Sequence, residues 1–78
     1  MNYLVVNIQI LKGGQTANAI TAYETEEEAR GAYHQILASN YASTALEGFL
    51  VQLLDLTKTG YIVLFEAKDV VDESSNGN

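Results

Sequence analysis

The stretch that decides the fold of this chain is LEGFLVQLLDL (Leu46 to Leu56), TKTG (Thr57 to Gly60) and YIVLFEAK (Tyr61 to Lys68). Two long runs of leucine, β-branched and aromatic residues flank a short polar break. This pattern predicts a β-hairpin closed by a three-residue loop, Lys58-Thr59-Gly60, with Gly60 in the left-handed conformation.

The predicted register gives the hairpin two apolar faces. Cross-strand partners step outward from the loop one residue at a time, so Thr57 pairs with Tyr61 and Leu53 pairs with Phe65. Because side chains alternate along a strand, one face then carries Phe49, Val51, Leu53, Tyr61, Val63, Phe65 and Ala67. The other face carries mainly Leu50, Leu54, Leu56, Ile62 and Leu64. A sheet with one solvated side would alternate apolar and polar residues, so both faces are expected to be covered.

The first part of the chain predicts a second hairpin. Residues 2–11 alternate as a strand whose one side is fully apolar (Leu4, Val6, Ile8 and Ile10) and whose other side is mixed, with Asn7 and Gln9. Gly13 and Gly14 make a turn with positive φ accessible. The following strand, residues 17–23, is rich in alanine and threonine and is expected to lie at an edge of the sheet.

A single amphipathic helix is predicted after this hairpin. Thr25 followed by Glu28 is a capping box, which marks the helix start. Apolar residues then recur at spacings of three and four, which predicts one stripe facing a sheet: Ala29, Ala32, Tyr33, Ile36, Leu37 and either Asn40 or Tyr41. Tyr33 is expected to point inward and His34 toward solvent.

These elements predict an α+β fold of the order ββαββ, a four-stranded antiparallel sheet with one helix packed on one face. Residues 1–68 form one domain, and residues 69–78 are an acidic, polar tail that is expected to be disordered. A helix of about fifteen residues spans only ~22 Å and shelters one face of such a sheet.

The second face is therefore expected to bind a partner. We assign this interaction to one side of the late hairpin, although the pattern does not decide which face the helix covers. The assigned residues are Phe49, Val51, Leu53, Tyr61, Val63 and Phe65. A homodimer packed sheet to sheet is the simplest closed arrangement, and a continuous sheet paired at its edges is the alternative.

Composition excludes several classes of function. The 78 residues include no cysteine, so neither a disulfide framework nor a thiolate metal site is expected. The net charge of −6 opposes direct binding to nucleic acid or to an anionic membrane, but a basic host protein remains a possible partner. The first residues lack the basic leader of a signal peptide and the length of a membrane span, which predicts a cytoplasmic location.

No catalytic motif is recognisable, and we expect no enzyme activity, cofactor or metal. His34 is the only histidine and has no cysteine, second histidine or serine at a catalytic spacing. Asp55 and Glu66 fall on opposite faces in the predicted register, so they are not expected to form a carboxylate pair.

Three segments resemble a group of small uncharacterised proteins encoded in phage and prophage gene clusters of Gram-positive anaerobes, often near tail or lysis genes. They are NYLVVNIQIL (residues 2–11), AYHQILASNYAS (residues 32–43) and TKTGYIV (residues 57–63). The resemblance implies no reaction and no catalytic residue. It implies a location in the host cytoplasm, with association with the virion as the alternative.

Two functions are consistent with the sequence. The first is a non-enzymatic, phage-derived interaction or assembly module that acts as a homo-oligomer, with a dimer as the expected form. The second is an acidic inhibitor that occupies the nucleic-acid groove of a host defence nuclease. Its carboxylates would come from Glu24, Glu26, Glu27 and Glu28, and from Asp69, Asp72 and Glu73 in the tail.

Overall fold

A computed structural model describes residues 2–58 and 61–68. The elements follow in the order β1 (Tyr3–Leu11), β2 (Thr16–Tyr23), α1 (Glu26–Ala42), β3 (Leu46–Asp55) and β4 (Tyr61–Lys68), with a 3₁₀ turn at Leu56–Lys58 after β3. The predicted ββαββ fold is confirmed. The predictions for Gly60 and for the tail, residues 69–78, lie outside the described residues.

The sheet has the strand order β2-β1-β3-β4, and every neighbouring pair is antiparallel. Each hairpin contributes one central strand and one edge strand, so β2 lies at an edge as predicted. The turn between β1 and β2 contains Gly13 and Gly14 at φ values of 100° and 95°, a conformation that glycine adopts without steric cost. The central pair, β1 and β3, joins the two hairpins into one sheet.

The helix begins where the capping box predicts. Thr25 has an extended backbone, and its hydroxyl accepts a hydrogen bond of 3.2 Å from the backbone N–H of Glu28. Three glutamates occupy the first turn, where the positive end of the helix dipole favours them. One of them, Glu26, accepts a 2.7 Å ion-paired hydrogen bond from Arg30.

The core lies between α1 and one face of the central strands, which we call the covered face. Four of its side chains are at most 1 % exposed: Val5, Phe49, Val51 and Leu53. The helix contributes Ala29, Tyr33 and Leu37 to the same cluster. The predicted orientations of Tyr33 and His34 are confirmed, since Tyr33 is buried and His34 is exposed.

The covered face also contains polar side chains, and these are paired with the helix. Asn40 is 4 % exposed, and its amide nitrogen donates to Asn7 Oδ1 at 3.0 Å. Its amide oxygen accepts from Gln9 Nε2 at 2.9 Å. Buried amides are tolerated when hydrogen-bonded and costly when they are not, so this trio explains why α1 packs on the mixed side of β1 rather than on its fully apolar side.

The predicted register of the late hairpin is wrong. Asp55, not Thr57, pairs with Tyr61, and Leu53 pairs with Leu64 rather than with Phe65. The cause lies in the connection. The carboxylate of Asp55 accepts hydrogen bonds from the backbone N–H and the hydroxyl of Thr57, at 2.9 and 2.6 Å, and this stabilises the 3₁₀ turn that ends β3 two residues early.

A β-bulge at Val63 adds a second displacement. Leu54 pairs with Ile62 and Leu53 pairs with Leu64, so Val63 is an extra residue in β4. An extra residue reverses which face the rest of the strand presents. Beyond the bulge, Leu64 and Glu66 therefore lie opposite Leu53 and Val51 on the covered face, contrary to the prediction.

Candidate interaction surface

The side of the sheet opposite α1 is almost entirely apolar, and we call it the open face. The pairing registers align its members in rows across the strands. The open face consists of Thr16, Asn18, Ile20 and Ala22 of β2, Leu4, Val6, Ile8 and Ile10 of β1, Leu50, Gln52 and Leu54 of β3, and Ile62, Phe65 and Ala67 of β4.

No other element among residues 2–58 and 61–68 covers the open face. Four of its large apolar side chains are strongly exposed: Ile8 at 37 %, Ile62 at 48 %, Phe65 at 54 % and Ile20 at 64 %. The central members, such as Val6 and Leu50, are half-buried by their neighbours. None of the fourteen members is charged, and large exposed apolar patches often mark binding sites.

The six residues assigned to the interaction surface do not lie together on the open face. The structure places Phe49, Val51 and Leu53 in the core under α1. Tyr61 pairs with Asp55 at the covered side and is 56 % exposed, and Val63 occupies the bulge and packs against the core. Only Phe65 is on the open face.

Of the residues that the pattern assigns to the opposite side of the hairpin, Leu50, Leu54 and Ile62 lie on the open face, whereas Leu64 lies on the covered face and Leu56 lies in the 3₁₀ turn. Leu50, Leu54 and Ile62 were correctly grouped as one face of the hairpin, and the fully apolar side of β1 continues that face. The signal that could have identified the open face is the polar content of β1. A helix that carries Asn40 in its stripe needs polar partners, and only the mixed side of β1 offers them.

The covered face has one polar contact at its margin. Tyr41 leaves the end of α1, packs edge-on against Phe49 at 5.0 Å between ring centroids, and donates a hydrogen bond from its hydroxyl to the Glu66 carboxylate. This hydrogen bond raises the pKa of Tyr41, with smaller contributions from desolvation and from the Glu66 charge. Burial, reinforced by the charge of Glu66, also raises the pKa of Tyr33.

Asp55 and Glu66 do not form a carboxylate pair, and the described residues do not form a metal centre. Asp55 and Glu66 lie on the same face, which corrects the prediction, but Glu66 is opposite Val51, four residues from Asp55 along β3. Four residues of strand separate them by about 13 Å, more than the span of a glycosidase carboxylate pair. Within residues 2–58 and 61–68, no group of three histidine, cysteine, aspartate or glutamate residues is arranged to hold a metal ion.

The acidic residues of the inhibitor hypothesis are only partly described. Glu26, Glu27 and Glu28 form the first turn of α1, and Glu26 is paired with Arg30. Asp69, Asp72 and Glu73 lie outside the described residues. These three carboxylates are thus explained by the helix start, Glu24 lies exposed just before it, and the clustering of all four with the tail stays a prediction.

Within the described part of the chain, no helix combines the length and the apolar character needed to cross a membrane. No protein family, no curated protein and no solved structure matches this chain.

Proposed function

We propose that this chain is a non-enzymatic interaction module that acts as a homodimer, in which two copies bury their open faces against each other. The single observation that carries the proposal is an uncharged, mostly apolar sheet face that spans all four strands and that no other element in the described part of the chain covers. Burial of apolar surface is the main favourable term in protein association.

The size of the open face supports a dimer. Four strands spaced ~4.8 Å apart and seven residues long at ~3.3 Å each outline roughly 450 Å². Two such faces together bury roughly 900 Å², which is at the low end of the range for protein interfaces, where weak complexes lie. Association at this size is expected to be of micromolar strength, because translational and side-chain entropy offset much of the gain.

A second copy fits the open face better than a charged partner does. The chain has a net charge of −6, yet none of the described charged residues lies among the open-face members. Two copies can therefore meet without opposing charges across the contact, and a twofold axis lets one patch satisfy itself. Two sheets packed in this way form a sandwich with a shared core about 10 Å thick.

Edge pairing is the alternative geometry for the dimer. Strand β4 is an edge, and its end carries Glu66 and Lys68. Charged residues on an edge strand are a common protection against pairing with another chain. The other edge strand, β2, carries no charged residue, so this protection applies to β4 alone. Sheet-to-sheet packing is favoured over pairing at either edge because it alone buries the open face.

The resemblance to phage-encoded proteins supports a biological setting for this module. In that setting the dimer is an accessory or assembly subunit made in the cytoplasm of the host, with incorporation into the virion as the alternative. The proposed activity is binding alone, and the proposal assigns no reaction.

Sedimentation equilibrium from about 10 to 500 μM protomer tests the proposal over the expected range of affinity. The wild-type chain is expected to reach the dimer mass. Phe65→Glu places a charge on the open face and should weaken association by about 100-fold or more, since a buried unpaired charge costs several kcal/mol. Ala38→Glu is the matched control, because it adds the same charge to the exposed side of α1.

Comparison of the two variants separates the effect of a charge on the open face from the effect of one more negative charge on the protein. Loss of the dimer in Phe65→Glu alone supports sheet-to-sheet packing. Equal weakening in both variants would indicate general charge repulsion and argue against the face. A wild-type chain that stays monomeric at the highest concentration would overturn the proposal.

A further inference from the structure

Gln52 is an amide side chain set inside the apolar part of the open face. Its neighbours in the same row are Val6 on β1 and Phe65 on β4. Its neighbours along β3 on the same side are Leu50 and Leu54. The other polar members of the face, Thr16 and Asn18, lie at a corner on the β2 edge.

The Gln52 amide has no hydrogen-bond partner among residues 2–58 and 61–68, although it is half-buried. By contrast, the amides that lie between the sheet and α1, those of Asn7, Gln9 and Asn40, are hydrogen-bonded to one another. In the free chain, water can satisfy the Gln52 amide. Once the open face is covered, that water is displaced and an unpaired amide becomes costly.

We propose that Gln52 lies on the twofold axis of the dimer and pairs with Gln52 of the second copy, which makes it the residue that determines how the two open faces align. The inference rests on the proposed dimer. On a twofold axis, each amide donates an N–H to the carbonyl oxygen of the other, so one residue supplies both donor and acceptor. An isolated polar residue in an apolar interface is known to select one register at a cost in affinity.

Apolar contacts alone would not select one alignment. Apart from Gln52, the side chains that the two central strands present on the open face are leucine, isoleucine and valine, so a shift of one row keeps most of the burial at the centre. Only alignments that bring the two Gln52 side chains together, or that bring Gln52 to the Asn18 corner of the other copy, leave no amide unpaired. The corner alignment contacts an exposed edge residue, where water competes for the hydrogen bond.

Disulfide trapping tests the position of the axis, and the absence of cysteine from the natural chain makes each introduced thiol the sole reporter. Gln52→Cys is compared with Ile8→Cys and Ile20→Cys on the same face. Ile8 and Ile20 lie on different strands and in different rows of the open face. A straight twofold axis that passes over Gln52 can therefore pass over at most one of them. Facing positions in a two-sheet sandwich can be joined by a disulfide.

The expected result is that Gln52→Cys forms the disulfide-linked dimer about tenfold faster than at least one isoleucine variant under the same mild oxidation. If Gln52→Cys is no faster than the slower isoleucine variant while the wild type is a dimer, the inference is overturned and the dimer stands. If the wild type is a monomer, the proposed function has already failed.

Gln52→Leu provides a readout that does not depend on oxidation. Leucine should tighten association about tenfold, because it replaces a buried amide with an apolar side chain. It should also split the single set of backbone amide NMR signals expected of the wild-type dimer, since alternative alignments become equally favourable. A variant that keeps one set of signals would show that Gln52 does not select the alignment.

Discussion

The two faces of the sheet differ in a way that runs against simple expectation. The covered face carries two half-buried amides, Asn7 and Gln9, which are hydrogen-bonded to Asn40 of α1, whereas the open face carries apolar side chains across all four strands and one half-buried amide, Gln52, without such a partner among the described residues. The helix thus shelters the more polar side. We infer that hydrogen bonding determines which face of the sheet α1 covers when both faces offer apolar area, because an unpaired buried amide costs more free energy than an apolar contact gains.

The two phenylalanines provide the most direct test of this difference between the faces, since one lies on each face of the sheet. Phe49 is 1 % exposed and Phe65 is 54 % exposed. Phe49→Ala should lower the free energy of unfolding by about 3–5 kcal/mol, the usual cost of emptying a core site. Phe65→Ala should lower it by less than about 1 kcal/mol in the monomer and should weaken the dimer instead.

Urea unfolding at a protein concentration below the dissociation constant of the dimer measures the free energy of unfolding of the monomer. The same measurement at high concentration adds the free energy of dimer formation. Similar losses for the two alanine variants at low concentration would mean that both faces are covered in the monomer.

The amides provide the second test of the comparison. Asn40→Leu leaves Asn7 and Gln9 without their buried partner and should cost about 1–3 kcal/mol of unfolding free energy. Gln52→Leu on the open face removes no hydrogen bond to any residue that the structure describes and should change the stability of the monomer by less than about 0.5 kcal/mol. Thermal unfolding of dilute samples distinguishes the two, and an Asn40→Leu variant as stable as wild type would exclude the amide trio as the reason for helix placement.

The smallest expected effect is a loss of stability at alkaline pH, and it involves only side chains on the covered side of the sheet. The pKa of Tyr33 is raised from its ordinary value of 10.0, first by burial and then by the charge of Glu66. A pKa raised on folding means that the neutral phenol is favoured in the folded state. This stabilisation is fully present below about pH 10 and is lost as the pH rises through the folded-state pKa.

Melting temperatures between about pH 8 and 11.5 should therefore fall on the alkaline side, and Tyr33→Phe should flatten the fall. Tyr41→Phe removes the hydroxyl that Glu66 accepts from and should flatten it as well. An unchanged profile in the double variant would show that neither phenol contributes to the pH dependence.

Most of the fold could be predicted from residue patterns. Period-two alternation predicts β1, two apolar runs around a polar break predict β3 and β4, Gly13 and Gly14 predict the turn to β2, and the Thr25 capping box predicts the helix start to the residue. The surplus of apolar sheet surface was also predictable, because one helix covers one face.

The register and the exposed side could not be predicted, for physical reasons that are now visible. The run from Tyr61 to Phe65 is apolar at every position, so its pattern is the same on either side of a one-residue bulge. The sequence places Asp55 two residues before Thr57, a spacing at which the carboxylate accepts a hydrogen bond from the Thr57 backbone N–H. The Lys58-Thr59-Gly60 pattern, however, favours a shorter loop. As a result, five of the six assigned interaction residues lie off the open face.

The bulge at Val63 has a consequence for how this chain can change length during evolution. Removing Val63 would leave Ile62 opposite Leu54 and Leu64 opposite Leu53, so both halves of β4 would keep their present neighbours and their present sides. Related chains one residue shorter at this point are therefore expected to preserve the alternation on either side of the gap.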